Sequence, residues 1–258
     1  MSRSPALRPI REVNTEPAEP ALIRLVSFLN AVLTPLTKRD WRDMDKIPKT
    51  GGVIFVVNHI SNIDPLSFGQ FVAYAGRWPR YLGKASLFRI PVVGKIITAC
   101  GQIPVERNSR DARKALTQAI DAVNAGKSIT VYPEGTITVD PQLWPMAGKT
   151  GAARIALATG CPVIPVGQWG AQDIMPGKKP SLPRFFPRKT LALKAGDPVA
   201  LDDLRGQPPT PAVLRQATDR IMDAITALVA DLRQQAAPPS RVDPSRRPDG
   251  EPGGETPV

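Results

Sequence analysis

Residues 52–75 read GVIFVVNHISNIDPLSFGQFVAYA, and the fold class follows from them. Val53–Val57 is an unbroken β-branched and aromatic run behind a glycine, the pattern of a strand buried on both faces. Five residues after His59 comes Asp64, then Pro65, and Leu66 to Ala75 keeps helical apolar spacing. His59 to Asp64 is therefore a strand-to-helix turn, the place where α/β proteins put functional groups.

The alternation continues along the chain. Gln102–Val105, Ser128–Tyr132, Val163–Val166 and Thr190–Lys194 read as further strands. Arg110 to about Asn124 reads as a helix with Ser109 as its cap and Gly126 as its stop, and Gly151–Ala158 as another stopping at Gly160. A last helix starts at Thr210-Pro211 and carries Val213, Leu214, Ala217, Ile221, Ile225, Leu228 and Leu232 at three and four residue spacing. The expected organisation is one α/β domain over residues 51–235. Residues 18–50 precede it as an apolar helix with Leu22, Phe28 and Leu36 on it, followed by Lys38, Arg39 and a linker, a pattern that suits an in-plane membrane anchor or a helix packed on the core. Residues 1–17 are polar with scattered proline and residues 236–258 hold six Pro and three Gly, so both ends are expected to be disordered.

Composition narrows the functional classes. With 42% hydrophobic residues in 258, the chain is neither fully disordered nor collagen-like. One His with Cys100 and Cys161 builds neither a disulfide framework nor a His/Cys zinc site, so no metal is expected and a reducing compartment is. The N-terminus has no secretory apolar core, and no uncharged run is long enough to span a bilayer. The net charge is +11, and the cations concentrate at 77–95 and 174–194, where no acid occurs and aromatics are interleaved. Such segments attract an anionic lipid surface or a nucleic acid. No recognition helix, RRM or KH motif is present, so a nucleic-acid-binding module is the rival reading and not the expected one.

Histidine is the one side chain that ordinarily titrates near neutrality, and the chain has only His59. Should the turn fold back, the Asp64 carboxylate accepts one imidazole proton and leaves the other nitrogen's lone pair outward, the orienting half of a triad without its nucleophile. A substrate hydroxyl then takes the nucleophile's place. Equally, Asp64 caps the helix and His59 is a satisfied loop residue. Glu134 in Tyr132-Pro133-Glu134-Gly135-Thr136 sits at a strand end, with Gly135 allowing close approach or positive φ, in a site or in an ordinary turn. Arg107, after Gly101-Gln102-Ile103-Pro104-Val105-Glu106, carries a guanidinium suited to phosphate or is a surface charge.

Taken in order, these pieces resemble the glycerophospholipid acyltransferase family, most closely its 1-acylglycerol-3-phosphate acyltransferases. Asn58-His59-Ile60-Ser61-Asn62-Ile63-Asp64 is similar to the NHxxxxD motif, Gly101 to Arg107 to the second block, Pro133-Glu134-Gly135-Thr136 to the third and Val163-Ile164-Pro165-Val166 to the fourth. Lys84 with Ile90–Gly94, and Lys149 with Gly151, resemble flanking stretches. Ile137 stands where an arginine usually follows the third block, and Ser86 where an acid is common, which bears on acceptor specificity.

The resemblance implies a glycerolipid-acyltransferase-like fold, a central mostly parallel or mixed sheet flanked by helices. It implies a long-chain acyl donor on coenzyme A or acyl carrier protein, lysophosphatidic acid as acceptor, and no further cofactor. It makes His59 and Asp64 catalytic and Arg107, Glu134, Gly135, Thr136, Lys84 and Asn58 substrate-binding. Other acceptors, glycerol 3-phosphate, a lysophospholipid or a glycolipid, stay open. The expected location is the cytoplasmic face of the cell membrane, held peripherally or monotopically at an anionic surface.

Overall fold

A computed structural model describes residues 9–105, 110–177 and 181–244. In chain order the elements are α1 (Ile10–Val13), α2 (Pro20–Leu36), β1 (Thr37–Arg42), β2 (Val53–Val57), α3 (Asp64–Tyr74), β3 (Leu82–Lys84), α4 (Ala85–Phe88), α5 (Pro91–Ala99), β4 (Ile103–Val105), α6 (Arg110–Asn124), β5 (Ser128–Val131), α7 (Gly151–Thr159), β6 (Val163–Trp169), β7 (Lys189–Ala195) and α8 (Pro211–Arg233). The five-stranded sheet has the order β1-β7-β6-β2-β5. β2 runs parallel to both β5 and β6, whereas β7 is antiparallel to β6 and parallel to β1. The parallel pair β3-β4 joins the β5 edge through one bridge between Tyr81 and Thr130. The sheet is mixed and mostly parallel, with helices on both faces.

β2 shows why its sequence demands this position. Its five residues are all buried. Ile54 and Val56 enter the core made with α6, α7 and α8, while Val53, Phe55 and Val57 enter the opposite core with Phe68, Phe71 and Val72 of α3. Truncating Phe55 to alanine between such layers costs roughly 3–5 kcal/mol. Gly52 is required at the entrance, because a Cβ there would lie 2.1 Å from the Val123 carbonyl oxygen at the end of α6.

Three expectations are corrected. Residues 9–17, expected to be disordered with the rest of 1–17, form α1 and an ordered strap whose Ile10 is buried. The reason is electrostatic: the Glu16 side chain, 4% exposed, pairs with Arg77 Nε at 2.9 Å and Arg80 Nη1 at 2.5 Å, both arginines being buried. Arg77 also donates to the Gly51 and Gly126 carbonyls at 2.7 and 2.9 Å, and Trp78 Nε1 donates to Glu16 O at 2.8 Å. Two cations of the 77–95 segment, which the sequence offers to an anionic lipid surface or a nucleic acid, are therefore structural and not available to either.

Residues 18–50 contain the expected helix, α2, with Leu22, Val26 and Leu33 turned into the domain. The expected linker instead contains β1, an edge strand paired with β7 from Thr37↔Lys189 to Arg42↔Lys194, so the domain starts before residue 51. Residues 236–244 of the expected disordered tail run along the domain, where Val242 O accepts from Ala147 N at 2.9 Å and Arg241 meets Asp223. Among the described residues no helix is long and apolar enough to cross a membrane.

Candidate active site

Parallel pairing puts the carboxyl ends of β2, β5, β6 and β3 on one edge of the sheet, and the candidate residues collect there. β2 leads through Asn58 into His59. The chain turns back so that His59 Nδ1 lies 2.8 Å from Asp64 Oδ2 at the start of α3. That same oxygen accepts from the backbone N–H groups of Ile60 and Ser61 at 2.6 and 2.8 Å. Asp64 makes no side-chain cap on α3, so it orders the His59–Asp64 turn and not the helix. With Nδ1–H donated to the carboxylate, Nε2 is left with the lone pair, on a side chain that is 18% exposed.

Asp64 is fully buried. Burial raises its pKa above the usual carboxylate value, and the imidazole and the Ser61 and Ile60 N–H groups pull the other way. An imidazole that gains a proton at Nε2 therefore meets a buried counter-charge already in place. The ring also stacks on Tyr132 with centroids 4.3 Å apart and planes 21° from parallel, and Tyr132 in turn stacks on Tyr81. Tyr132 is thus the wall that fixes the ring's plane.

Glu134 holds the turn from the β5 side. Its Oε1 accepts the His59 N–H at 2.8 Å and its Oε2 the Met146 N–H at 3.0 Å. It is 1% exposed, and burial pushes its pKa up to about 8 against those two donors. Thr138 N donates to His59 O at 2.7 Å, so both backbone groups of His59 are tied to the loop after β5. Gly135 has φ +69°, and Lys149 crosses so closely that a Cβ would meet its side chain at 3.2 Å. Lys149 N also donates to Pro133 O at 2.8 Å, which joins the third motif to the stretch after it.

The structure brings His59, Asp64, Glu134 and Gly135 together, with Thr136 half-exposed beside them. It corrects two expected substrate contacts. Asn58 is fully buried, donating through Nδ2 to Gln168 O at 3.0 Å and accepting Gln168 N at 2.8 Å, while Gln168 Nε2 donates to Asn58 O at 2.6 Å. Asn58 therefore locks β2 to β6 and does not face the rim. Glu134, buried likewise, spends both carboxylate oxygens on the backbone N–H groups of His59 and Met146. Lys84 is exposed at the end of β3, in register with Val105. Arg107 lies outside the described residues. Sequence reasoning missed Gln168 and the stacking of Tyr132. A signal for Gln168 existed, since it is a polar residue in the otherwise apolar run Val163–Trp169.

Fold and site together define an α/β scaffold carrying a hydrogen-bonded His–Asp pair at its parallel-strand edge. The acyltransferase family model matches residues 38–169, just over half the chain, and the chain belongs to that family. It is 33% identical over 147 residues to the chloroplastic 1-acyl-sn-glycerol-3-phosphate acyltransferase of Brassica napus, covering 55% of this chain and 40% of that protein. It is 38% identical over 126 residues to the Borreliella burgdorferi 1-acyl-sn-glycerol-3-phosphate acyltransferase, 47% of each, and 32% over 157 to the Escherichia coli one, 58% and 61%. The chain spans about half the length of the curated relatives it matches. The crystal structure of the Thermotoga maritima 1-acyl-sn-glycerophosphate acyltransferase has the same fold, with a TM-score of 0.63 at 24% identity over 84% of this chain and 81% of that one.

Proposed function

We propose that this chain transfers a long-chain acyl group from a thioester of coenzyme A or acyl carrier protein to the free hydroxyl of 1-acylglycerol 3-phosphate. The carrying observation is the 2.8 Å contact between a partly exposed His59 and a buried Asp64, with Asp64 the side chain that hydrogen-bonds the imidazole among the described residues. A histidine so oriented, without a serine or cysteine on it, serves an incoming alcohol. His59 Nε2 takes the hydroxyl proton as the oxygen bonds to the thioester carbon. The C–S bond then breaks, and the leaving thiolate takes the proton back from the imidazolium. The histidine ends as it began, and no cofactor is consumed.

Lys84, and Arg107 by its motif position, would hold the acceptor phosphate. An apolar cavity of about 180 Å³ lies beside this edge, between α2, Pro65 and α5, lined by Leu25, Leu29, Leu66, Tyr81 and Ile97 among others. It supports the reading that one substrate is a long acyl chain. Such substrates partition into lipid, so the reaction belongs at a membrane surface, on the cytoplasmic face by the sequence reading, without a spanning helix.

The test is a panel of acceptors with one labelled acyl donor, run on wild type and His59→Ala. Transfer to 1-acylglycerol 3-phosphate, and its loss in a folded His59→Ala protein, is the expected result. Preferred labelling of glycerol 3-phosphate, a head-group lysophospholipid or a glycolipid would reassign the acceptor, and undiminished transfer by the variant would remove His59 as base.

A further inference from the structure

The guanidinium at the end of α8 is set on aromatic rings. Arg233 Cζ lies over the ring of Trp144, 4.0 Å from its centroid, and over that of Trp169 at 4.3 Å. Its Nη1 donates to Gln142 O at 2.8 Å, while Nε and Nη2 donate to Gln235 Oε1 at 3.1 and 2.8 Å. Arg220, earlier on the same helix, instead pairs with the Asp203 carboxylate. The groups that Arg233 touches are two indoles and neutral oxygens, so it is held as a shaped cation and not as half of an ion pair. Burial lowers its pKa, with Asp140 pulling the other way. Contact of a guanidinium with an aromatic face strengthens as water is excluded.

Three routes lead from this guanidinium to His59. In the first, Trp144 O accepts the Thr138 hydroxyl at 2.8 Å, and Thr138 N donates to His59 O at 2.7 Å. In the second, Met146, two residues past Trp144, donates its N–H to Glu134 Oε2, and Glu134 Oε1 accepts the His59 N–H. In the third, Trp169 follows Gln168, whose backbone and side chain hold Asn58, the neighbour of His59.

The segment between β5 and α7 needs such a hold. Residues 132–150 contain neither helix nor strand, a length at which an irregular stretch in a compact domain serves a site or is loose. Its local bonds make the middle of it one body: Asp140 Oδ1 accepts Gln142 N and Trp144 N at 2.8 and 3.3 Å, and Asp140 N donates to Thr138 Oγ1 at 3.1 Å. These bonds are internal and do not attach the body to the sheet. Leu143 has φ +62°, a left-handed conformation that a leucine keeps only where its surroundings over-determine it. Its two neighbours, Gln142 and Trp144, are residues that Arg233 holds.

We propose that Arg233 is a positioning residue for His59: its guanidinium fixes the 138–146 loop against the end of β6 and so sets where the imidazole stands. The inference rests on the acyl-transfer reading above and deepens it with a residue that no motif of the sequence marks. Arg233 acts on the backbone that carries the imidazole and not on the reacting atoms. The planar fork is what the arrangement uses, since it covers ring faces and reaches a carbonyl at once, and the compact ammonium of a lysine does not reproduce that shape.

The experiment uses the full, untagged chain, in which His59 is the only histidine and gives a single imidazole signal in proton NMR. Arg233→Met and Arg233→Lys are compared with wild type and with Arg220→Met, a control that breaks a carboxylate pair on the same helix. Both Arg233 variants are expected to lower kcat for acyl transfer about ten- to a hundredfold with the acceptor KM within about twofold of wild type. Both are also expected to displace or broaden the His59 signal. Arg220→Met is expected to leave both readouts at their wild-type values. Arg233 is only half-buried, and circular dichroism at the assay temperature gives the folded fraction to which each kcat is scaled.

Lost stability with a wild-type kcat per folded molecule and an undisturbed His59 signal would make Arg233 a structural staple and overturn the proposal. Full recovery in Arg233→Lys also overturns it, because charge alone at the end of α8 would then suffice, as does an equal loss in Arg220→Met. A displaced His59 signal in the Arg233 variants of a chain that transfers acyl groups to no acceptor supports the positioning role while overturning the acyl-transfer reading.

Discussion

The turn at His59 and the strap at Glu16 are both built on a buried carboxylate paired with a nitrogen base, yet they do opposite things. At the turn, Asp64 and His59 are five residues apart, and one side of the imidazole reaches the rim. At the strap, Glu16 spans 61 and 64 residues to reach Arg77 and Arg80, and both guanidiniums are sealed from solvent. A local pair with one free nitrogen can exchange a proton with a substrate. A distant pair whose charged groups are buried can only hold two parts of the chain together.

The sharpest break of this comparison is His59→Ala. It is expected to lower acyl transfer by about 10²–10⁴-fold, the range for a general base, while the denaturation midpoint stays near wild type. A stability loss as large as the activity loss would mean the turn is a structural pair after all.

Glu16→Ala should do the reverse. It strands two buried cations and is expected to cost about 3–5 kcal/mol in chemical denaturation, with the remaining folded fraction showing a normal KM. Wild-type stability in this variant would show that the arginines find water or other acceptors. Glu134→Gln sharpens the contrast through pH. A carboxyl that binds its proton more tightly folded than unfolded gives its full stability below its ordinary value of 4.5, and loses it as pH rises through about 8. The melting midpoint should therefore fall across that interval by several degrees, at about 2–4 °C per kcal/mol for a domain of this size, and the variant should flatten the fall. An equally steep fall in Glu134→Gln would assign it to other groups.

The smallest effect is expected at Glu19→Ala. Glu19 is more exposed than Glu16 and meets Arg80 at 3.2 Å and Lys127 at 3.1 Å, so the loss should stay within about 1 kcal/mol. A cost matching that of Glu16→Ala would make the strap a single five-charge unit.

What was legible in the sequence divides along the same line. β2, the turn and α3 are encoded by neighbours, a five-residue apolar run followed by Asp64-Pro65, and periodicity finds them. α6 and α8 are found for the same reason. β1 was missed because Thr37–Arg42 has no apolar alternation, being an edge strand with partly exposed side chains. α5 was missed as an element because Pro91–Ala99 is apolar and yet uncovered. The ordered strap was missed because its partners lie far along the chain. Within the site, the motif marks Asn58 and Glu134 but not their roles. Both spend their side chains on backbone groups of other segments, Asn58 on Gln168 and Glu134 on His59 and Met146.

The sealed arginines also turn the molecule into its own proteolytic gauge. Trypsin cuts after arginine, and the bonds following Arg77 and Arg80 stay out of its reach for as long as Glu16 remains seated. Early digestion fragments ending at either residue would therefore count the molecules whose N-terminal segment has come away, at a protease dose too low to drain the native population. Comparing that count with and without bound lipid would tell whether occupancy of the α2–α5 side tightens a clasp on the far end of the same helix.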